Sequence, residues 1–271
     1  MLASCASQNQ TSMHHAEAER LLPALLSAAR LAGQAIMDIY VNGQHDTQLK
    51  DDHSPVTAAD LAAHGVLVPA LARLLSDCPV VSEEDGDSQR YRQATGRFWL
   101  IDPLDGTKEF LARNGEFTVN IALIEQGRSA LGVVYAPAIG GLYWGGPGLG
   151  AWREQAGAVQ AIQVQAGTRC RVVASKSHLN AETQAFIDRL GEVELVQAGS
   201  SLKLCRVAEG AADIYPRLAP TCEWDTAAAQ AVLEGAEGMV LDELGQPLRY
   251  GKPDVLNPSF IAARCASLLP A

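Results

Sequence analysis

Two aspartates, Asp102 and Asp105, stand three residues apart at the end of an apolar run. The proline between them restricts the turn, so both carboxylates and the Leu104 carbonyl can be presented together at little ordering cost. Carboxylate and carbonyl oxygens are the ligands of hard cations such as Mg²⁺. Gly106 permits close backbone approach, and Thr107 can begin a helix whose free amides receive a phosphate. An ordinary Asp-Gly turn with a threonine cap fits these residues equally well.

Three more acidic residues stand at the boundaries of predicted elements. Glu83 follows another short apolar run, Asp225 opens a predicted helix, and Asp60 lies three residues after Thr57. Each has a plain structural interpretation, respectively a solvated loop, an N-cap and a capping box. In the functional interpretation, Asp60 polarises the Thr107 hydroxyl toward a nucleophilic water, a role compatible with capping.

Composition limits the classes of partner. The 271 residues include 21 Lys and Arg against 31 Asp and Glu, for a formal charge of -10. This balance disfavours a nucleic-acid polymer, although clustered acids that recruit divalent cations leave a small phosphorylated substrate open. The six cysteines show no C-x-x-C spacing, which favours reduced thiols and predicts no zinc site. No apolar run is long enough for a transmembrane segment.

The elements that must position these residues follow from hydrophobic periodicity. Amphipathic patterns predict helices over Glu17 to Tyr40 and from near Thr57 through Leu74, joined by a polar loop. Runs at 118–124 and 130–135 indicate an antiparallel hairpin, and strands alternate with helices from about residue 165. The expected fold class is α+β and α/β. We divide the chain into a disordered extension (1–16), an α+β half carrying the metal and phosphate site (17–164) and an α/β half (165–271).

Six separated strings support a family resemblance. They occupy residues 54–60, 82–85, 102–110, 114–120, 199–203 and 224–228. Together and in this order they resemble the inositol monophosphatase superfamily of Mg²⁺-dependent, Li⁺-sensitive phosphatases, over residues 21–258, and within it the bisphosphate nucleotidases of sulfur assimilation. The resemblance implies a layered αβαβα sandwich, with an antiparallel-sheet half followed by the α/β half.

The same resemblance assigns site residues. It implies that two or three Mg²⁺ ions are held by Glu83, Asp102, the Leu104 carbonyl, Asp105 and Asp225. It also implies that Mn²⁺ can replace Mg²⁺ and that Li⁺ inhibits the enzyme. The implied catalytic residues are Asp60, Thr107 and Glu83. The implied substrate-binding residues are Gly106, Thr107, Ser175, His178, Gly199, Lys203, Arg217 and Asp225. Taken alone, His178 and Lys203 would be expected at the surface.

The function expected from this resemblance is hydrolysis of the 3'-phosphate of adenosine 3',5'-bisphosphate to AMP and phosphate by metal-activated water, with the sulfated analogue as a further substrate. Two alternatives stay open: an inositol or sugar monophosphatase on the same metal core, and a non-catalytic phosphometabolite-binding protein. The expected partner is a small phosphorylated nucleotide, and the chain is expected to be a monomer or homodimer. Its expected location is the cytoplasm, with peripheral contact at the inner face of the cell membrane left open.

Overall fold

Two mixed sheets and seven α-helices form the part of the chain that the computed structural model describes, which is residues 15–42, 47–49, 55–94, 96–174 and 180–269. The helices are α1 (His15–Asn42), α2 (Ala58–Leu74), α3 (Tyr91–Ala94), α4 (Thr107–Leu111), α5 (Ala181–Arg189), α6 (Leu202–Ala208) and α7 (Glu223–Gly235). Two 3-10 helices cover Gly86–Arg90 and Ala266–Leu268.

The strands divide between two sheets and one small hairpin. The hairpin pairs β1 (Thr47–Leu49) with β2 (Pro55–Thr57). The first sheet contains β3 (Val80–Ser82), β4 (Arg97–Asp105), β5 (Thr118–Glu125), β6 (Arg128–Ala136), β7 (Gly141–Gly146), β8 (Gly150–Gln155) and β9 (Ala158–Ala161), in chain order. The second contains β10 (Cys170–Ala174), β11 (Val193–Gln197), β12 (Ile214–Arg217), β13 (Met239–Asp242) and β14 (Phe260–Ala263), in the order β11-β10-β12-β14-β13.

The helices and sheets stack in five layers. Helices α1 and α2 bury their apolar faces against one side of the first sheet. Helices α6 and α7 fill the space between the two sheets, in a core that draws residues from both. Helix α5 covers the outer face of the second sheet through Phe186 and Ile187. The layered αβαβα sandwich is therefore confirmed, and it follows from each sheet burying both of its faces under helices.

Helix α7 lies unusually close to the first sheet. A Cβ built on Gly132 of β6 would stand 2.0 Å from the backbone oxygen of Ala228, in the second turn of α7. Only glycine leaves room for this approach. Because Asp225 lies on the same helix, the close packing also places that residue relative to the sheet.

Several boundaries differ from the sequence prediction. Helix α1 begins at His15, so residues 15 and 16 of the predicted disordered extension are helical, while residues 1–14 lie outside the described part. The predicted polar loop after α1 includes the β1-β2 hairpin. The first sheet ends at Ala161 and the second begins at Cys170, but a domain division at residues 164 and 165 stays a prediction. None of the helices in the described ranges is long and apolar enough to span a membrane.

Candidate metal and phosphate site

A β-bulge brings Asp102 and Asp105 to the same face of the first sheet. Residues three apart on a regular strand point to opposite faces. On β4, however, Asp102 pairs with Asn120 and Asp105 pairs with Thr118, so β4 has one residue more than β5 between these pairs. Such an extra residue resets the alternation of side chains. The two aspartates therefore both project on the side that Thr118 and Asn120 share, and the spacing predicted as a turn is a bulged strand.

Asp225 completes a cluster of three carboxylates. One ligand oxygen from each of Asp102, Asp105 and Asp225 lies within 4.8 Å of the others. Asp102 is buried, with 2% of its surface exposed. Burial, followed by the charges of Glu83, Asp105 and Asp225, raises the pKa of Asp102 well above its usual range. Burial and the Asp105 charge likewise raise the pKa of Asp225. These carboxylates face one another at a cost in electrostatic free energy that a bound cation would relieve.

The orientation of Asp105 is fixed by neutral donors. Its Oδ2 accepts the backbone N–H of Ser201 at 2.6 Å, the Asn120 amide at 3.3 Å and the Thr118 hydroxyl at 3.5 Å. Burial raises the pKa of Asp105 to about 6, against the opposing effects of the Lys203 charge and of the Ser201 hydrogen bond. Sequence reasoning missed Thr118, Asn120 and Ser201 as partners of Asp105, although the strings 114–120 and 199–203 contain them.

Glu83 lies beside this cluster, at the end of β3. Its carboxyl shares a hydrogen bond with Asp102, which adds to the raised pKa of Asp102. The preceding residue, Ser82, is 1% exposed; its hydroxyl contacts His64 Nδ1 at 2.9 Å and accepts the Glu84 N–H at 3.2 Å. Asp85 caps the following 3-10 helix by accepting the N–H groups of Asp87 and Ser88. The acidic run therefore combines one residue at the cluster with one ordinary cap.

Asp225 is the third residue of α7, and the residue at the N-cap is Cys222. The expectation that Asp225 is the N-cap itself is wrong by one turn, because the helix already begins at Glu223. The Asp225 Oδ2 accepts the Cys222 N–H at 2.8 Å, the return bond of a capping box. That bond holds the carboxylate at the helix start, where the free N–H groups and the helix dipole favour negative charge.

Asp60 makes the capping box that the sequence predicts. Its Oδ2 accepts the backbone N–H of Thr57 at 2.8 Å and the Thr57 hydroxyl at 2.6 Å, and Asp60 is 1% exposed. Strand β2, which ends at Thr57, packs against α4, which begins at Thr107. Asp60 lies on α2, three residues after the end of the strand that packs against the helix of Thr107. A contact between the Asp60 carboxylate and the Thr107 hydroxyl stays a prediction.

Two glycines bring two remote backbone segments together. Gly106 has φ 91°, and a Cβ there would lie 3.3 Å from the Ser200 Cβ and 3.4 Å from the Glu116 oxygen. A Cβ on Gly199 would lie 2.8 Å from that same Glu116 oxygen. Ser200, between these segments, has φ 43°, a left-handed conformation that costs a non-glycine residue free energy and is typical of functional sites. The predicted phosphate-binding residues Gly106 and Gly199 therefore adjoin.

A cavity of about 80 Å³ extends from the carboxylates between α6, β12 and α7. Its lining combines Asp105 and Asp225 with Lys203 and Arg217. Lys203 is only 9% exposed, so the expectation of a surface lysine is wrong. Burial lowers the pKa of Lys203, an effect that the Asp105 charge opposes. The Nε of Arg217 is buried without a hydrogen-bond partner, while its Nη2 donates to the Pro220 carbonyl at 3.0 Å.

The remaining predicted site residues are placed as follows. The Leu104 backbone N–H donates to Asp102 Oδ1 at 3.0 Å, which fixes the peptide next to the carbonyl predicted as a ligand. Ser175 and His178 lie outside the described residues. Tyr215 also lines the cavity and was missed by sequence reasoning; the Lys203 Nζ stands 5.7 Å from the centre of its ring. The tyrosine follows an ordinary apolar pattern, which gave no signal for it.

The site fits a divalent cation by its chemistry. The three clustered side chains offer oxygen donors, as hard cations require, and no thiol or imidazole belongs to the group found among the described residues. Burial, and after it the neighbouring carboxylate charges, raise the pKa values of Asp102 and Asp225. Binding a cation would both satisfy these oxygens and remove the repulsion between them.

The layered αβαβα sandwich and the carboxylate cluster together indicate a class of metal-dependent proteins. A sequence comparison indicates the same class. The chain matches the profile described as the inositol monophosphatase family over residues 17–270 and belongs to that family. Proteins of this family are metal-dependent, in keeping with the acidic cluster.

Comparison with individual proteins gives more specific similarities than the family match. The 3'(2'),5'-bisphosphate nucleotidase CysQ of Escherichia coli (strain K12) is 49% identical over 242 residues, which cover 89% of this chain and 98% of that protein. The crystal structure of CysQ from Bacteroides thetaiotaomicron superposes with a TM-score of 0.81 at 40% identity and covers 94% of this chain and 100% of its own. An IMPase structure from Thermotoga maritima gives a TM-score of 0.73 at 25% identity, covering 90% and 91%.

Proposed function

We propose that this chain is a 3'(2'),5'-bisphosphate nucleotidase that uses Mg²⁺ to hydrolyse the 3'-phosphate of adenosine 3',5'-bisphosphate, giving AMP and phosphate. The observation that carries the proposal is a cavity lined both by the carboxylates Asp105 and Asp225 and by the cations Lys203 and Arg217. Such a lining suits a substrate with two phosphates, because a cation held by the carboxylates would attract one phosphate and the basic side chains would attract the other. The relation to CysQ at 49% identity supports the same substrate.

The residues that would hold the metal are Glu83, Asp102, Asp105, Asp225 and the Leu104 carbonyl. Bound Mg²⁺ supplies Lewis-acid stabilisation of the transferred phosphoryl group and lowers the pKa of a nearby water. The protein contributes rigid placement, since the bulge in β4, the donors to Asp105 and the capping box of Asp225 each fix one carboxylate. We infer two or three Mg²⁺ ions, with Mn²⁺ as a substitute and Li⁺ as an inhibitor, from the family.

The roles of the other site residues concern the water and the two phosphates. Asp60, with Thr107, accepts the proton of the attacking water, and Glu83 assists at the metal side. The Gly106 and Thr107 amides hold the phosphate that is cleaved, and the close approach of Gly199 shapes the same corner. The phosphoryl group would pass directly to water by in-line displacement: a bond to the water oxygen forms, the bond to the 3'-oxygen breaks, and that oxygen takes a proton to give AMP. No residue of the protein becomes phosphorylated.

The second phosphate is assigned to the basic side of the cavity. Lys203 and Arg217 are its charged partners, and the Arg217 Nε is a buried donor that such a phosphate would satisfy. Leaving a buried guanidinium N–H without a partner is costly, which favours a ligand there. Ser175, His178 and Asp225 complete the proposed nucleotide site. The sulfated analogue, which carries the same 3'-phosphate, is included as a second substrate.

The test measures phosphate release by the purified chain from adenosine 3',5'-bisphosphate, its sulfated analogue and inositol 1-phosphate, with Mg²⁺ and after chelation with EDTA. We expect release that requires Mg²⁺ and is fastest on the nucleotides. Faster release from inositol 1-phosphate would establish an inositol or sugar monophosphatase instead. No metal-dependent release from any of the three would contradict the proposal and favour a phosphometabolite-binding protein.

Lys203→Met provides the specificity test within the chain. We expect the ratio of kcat/KM for the bisphosphate to that for inositol 1-phosphate to fall by about 10- to 150-fold, because a charge-assisted contact to the second phosphate contributes roughly 1.5–3 kcal/mol. Arg20→Met removes one positive charge from the exposed face of α1 and serves as the control for net charge. An equal loss on both substrates would contradict the assignment of Lys203 to the second phosphate.

A cytoplasmic location and a monomer or homodimer complete the proposal. Light scattering coupled to gel filtration measures the mass of the particle directly. Cell fractionation locates the protein and shows whether any of it is bound at the membrane.

A further inference from the structure

A chain of hydrogen bonds runs from the segment that carries Glu83 to the helix that carries Asp225. The Gln89 side-chain amide donates to the Ser82 carbonyl at 3.1 Å. The oxygen of the same amide accepts Arg92 Nη1 at 3.3 Å. Arg92 Nε then donates to Glu223 Oε2 at 3.3 Å. Ser82 is the residue before Glu83, and Glu223 is the second residue before Asp225.

The far end of this chain is firmly anchored. Glu223 is fully buried and Arg92 has 4% of its side chain exposed. Glu223 also accepts the backbone N–H groups of Gly251 at 2.9 Å and Lys252 at 3.0 Å, and the Lys252 ammonium at 2.5 Å. Arg92 Nη2 donates to the Lys252 carbonyl. Every oxygen of this buried carboxylate is therefore used, as a buried charge requires.

This chain of hydrogen bonds joins the two backbone segments that carry Glu83 and Asp225. Asp102, Asp105 and Asp225 present carboxylate oxygens within 4.8 Å of one another, and like charges this close repel when no cation is bound. Two segments about 140 residues apart in sequence would separate under that repulsion unless the backbone behind each were held. The Gln89 amide contacts a carbonyl on one side and a guanidinium on the other, so its two ends cannot be exchanged without losing both bonds.

We propose that Gln89 and Arg92 are positioning residues that hold Glu83 at a fixed separation from Asp225 and thereby set the affinity of the site for divalent cations. Neither residue touches the substrate or the reacting atoms; both act through Ser82 and Glu223. The proposal rests on the metal-binding roles given to Glu83 and Asp225 under the proposed function. Residues that orient metal ligands in this way commonly change metal affinity by about 10–100-fold when they are replaced.

Another glutamine of the protein makes the same kinds of contact as Gln89 and serves as a matched control. Gln155, at the end of β8, donates its amide to the Ile139 carbonyl at 2.8 Å and accepts Arg153 Nη2 at 2.8 Å. It therefore makes the same pair of contacts, to a carbonyl and to a guanidinium, far from the carboxylates. Methionine at either position keeps the length of the side chain and removes both hydrogen bonds.

The experiment titrates Mg²⁺ into metal-free wild type, Gln89→Met and Gln155→Met by isothermal calorimetry, and records the Tm of each without metal. We expect the Kd for Mg²⁺ to rise about tenfold in Gln89→Met and to change less than twofold in Gln155→Met. Equal affinities in Gln89→Met and wild type would overturn the proposal. An equal loss of affinity in both variants would also overturn it, because the effect would then be general destabilisation.

A second variant separates positioning from folding. Gln89→Glu keeps an acceptor for Arg92 but removes the donor to the Ser82 carbonyl, so the buried guanidinium retains its partner. The added carboxylate charge would by itself favour a cation, so a Kd for Mg²⁺ that still rises several-fold would support positioning; unchanged or tighter binding would count against the proposal. Wild type that binds no Mg²⁺ and releases no phosphate would refute the proposed function itself, a result distinct from normal binding in all variants.

Discussion

Asp213 and the cluster of Asp102, Asp105 and Asp225 have opposite surroundings. Asp213 accepts Arg171 Nε at 2.9 Å and Arg264 Nε at 2.8 Å, together with the backbone N–H groups of Arg171 and Gly167. Burial alone would raise its pKa, but these donors outweigh burial and lower it. In the cluster of Asp102, Asp105 and Asp225, carboxylates face carboxylates and the pKa values are raised.

The difference shows that burial does not by itself distinguish a functional acid from a structural one. Asp213 joins the start of the second sheet to β14 and its charge is neutralised within the protein. Among the described residues, no arginine neutralises the clustered carboxylates in the same way as Asp213 is neutralised, so we expect a bound cation to stabilise them. The most direct test of this distinction replaces one aspartate of each kind by asparagine and compares the effects on activity and on stability.

The largest effect is expected for Asp102→Asn. Asparagine is the same size and keeps an oxygen for the Leu104 N–H, but it removes a charged metal ligand. We expect phosphate release to fall by about 10³-fold or more, because the metal contributes several kcal/mol of transition-state stabilisation. The Tm without Mg²⁺ should not decrease, since one repelling charge is lost. Full retained activity would remove Asp102 from the metal site.

Asp213→Asn should give the reverse pattern. The free energy of unfolding should fall by about 3 kcal/mol, because two arginines lose their charged partner in a mostly buried setting. Activity per folded molecule should stay within a factor of two of wild type. Urea denaturation followed by tryptophan fluorescence measures the stability. A protein that keeps its stability but loses turnover would break the comparison between the two groups.

The next largest effect is expected when Mg²⁺ is removed or added. At a concentration 100 times its Kd, Mg²⁺ should stabilise the wild type by about 2.7 kcal/mol, which appears as a higher Tm. Asp213→Asn should gain the same increment, whereas Asp102→Asn should gain little. Calorimetric melting with and without EDTA provides the measurement, and an equal increment in all three proteins would mean that the cation binds elsewhere.

The smallest effect concerns acid. The pKa of Asp213 is lower in the folded protein than in the unfolded chain, so the unfolded chain binds more protons at acidic pH. Its stabilising contribution is therefore complete above the ordinary carboxyl pKa of about 4 and is lost as the pH falls through the lower folded value. The difference in stability between wild type and Asp213→Asn should narrow from pH 6 to pH 3. A difference that widens over that range would contradict the paired state of Asp213.

Much of the site was predictable because its acids end local patterns. Asp60 makes the predicted capping box, Asp225 stands in the first turn of the predicted helix although not at its N-cap, and Asp102 to Thr107 follow an apolar strand into a short helix. The layered fold followed from periodicity together with family resemblance. The roles of the individual residues come from that resemblance and stay predictions.

What the sequence could not provide depends on pairings between remote residues. Arg92 and Glu223 are 131 positions apart, and nothing in either local pattern indicates that they meet. Lys203 follows a helical pattern typical of a surface residue, yet it is buried because α6 lies between the two sheets. The bulge in β4 was missed for a similar reason, since it is defined only by the register of β5.

That bulge has a consequence for changes in chain length. Deleting either Pro103 or Leu104 would restore regular pairing between β4 and β5 and leave the second aspartate two residues after Asp102, still opposite Thr118 and on the same surface of the sheet. Shortening by one residue would therefore keep the two carboxyl groups side by side. It would change the backbone presented between them, where the Leu104 N–H now donates to Asp102 Oδ1.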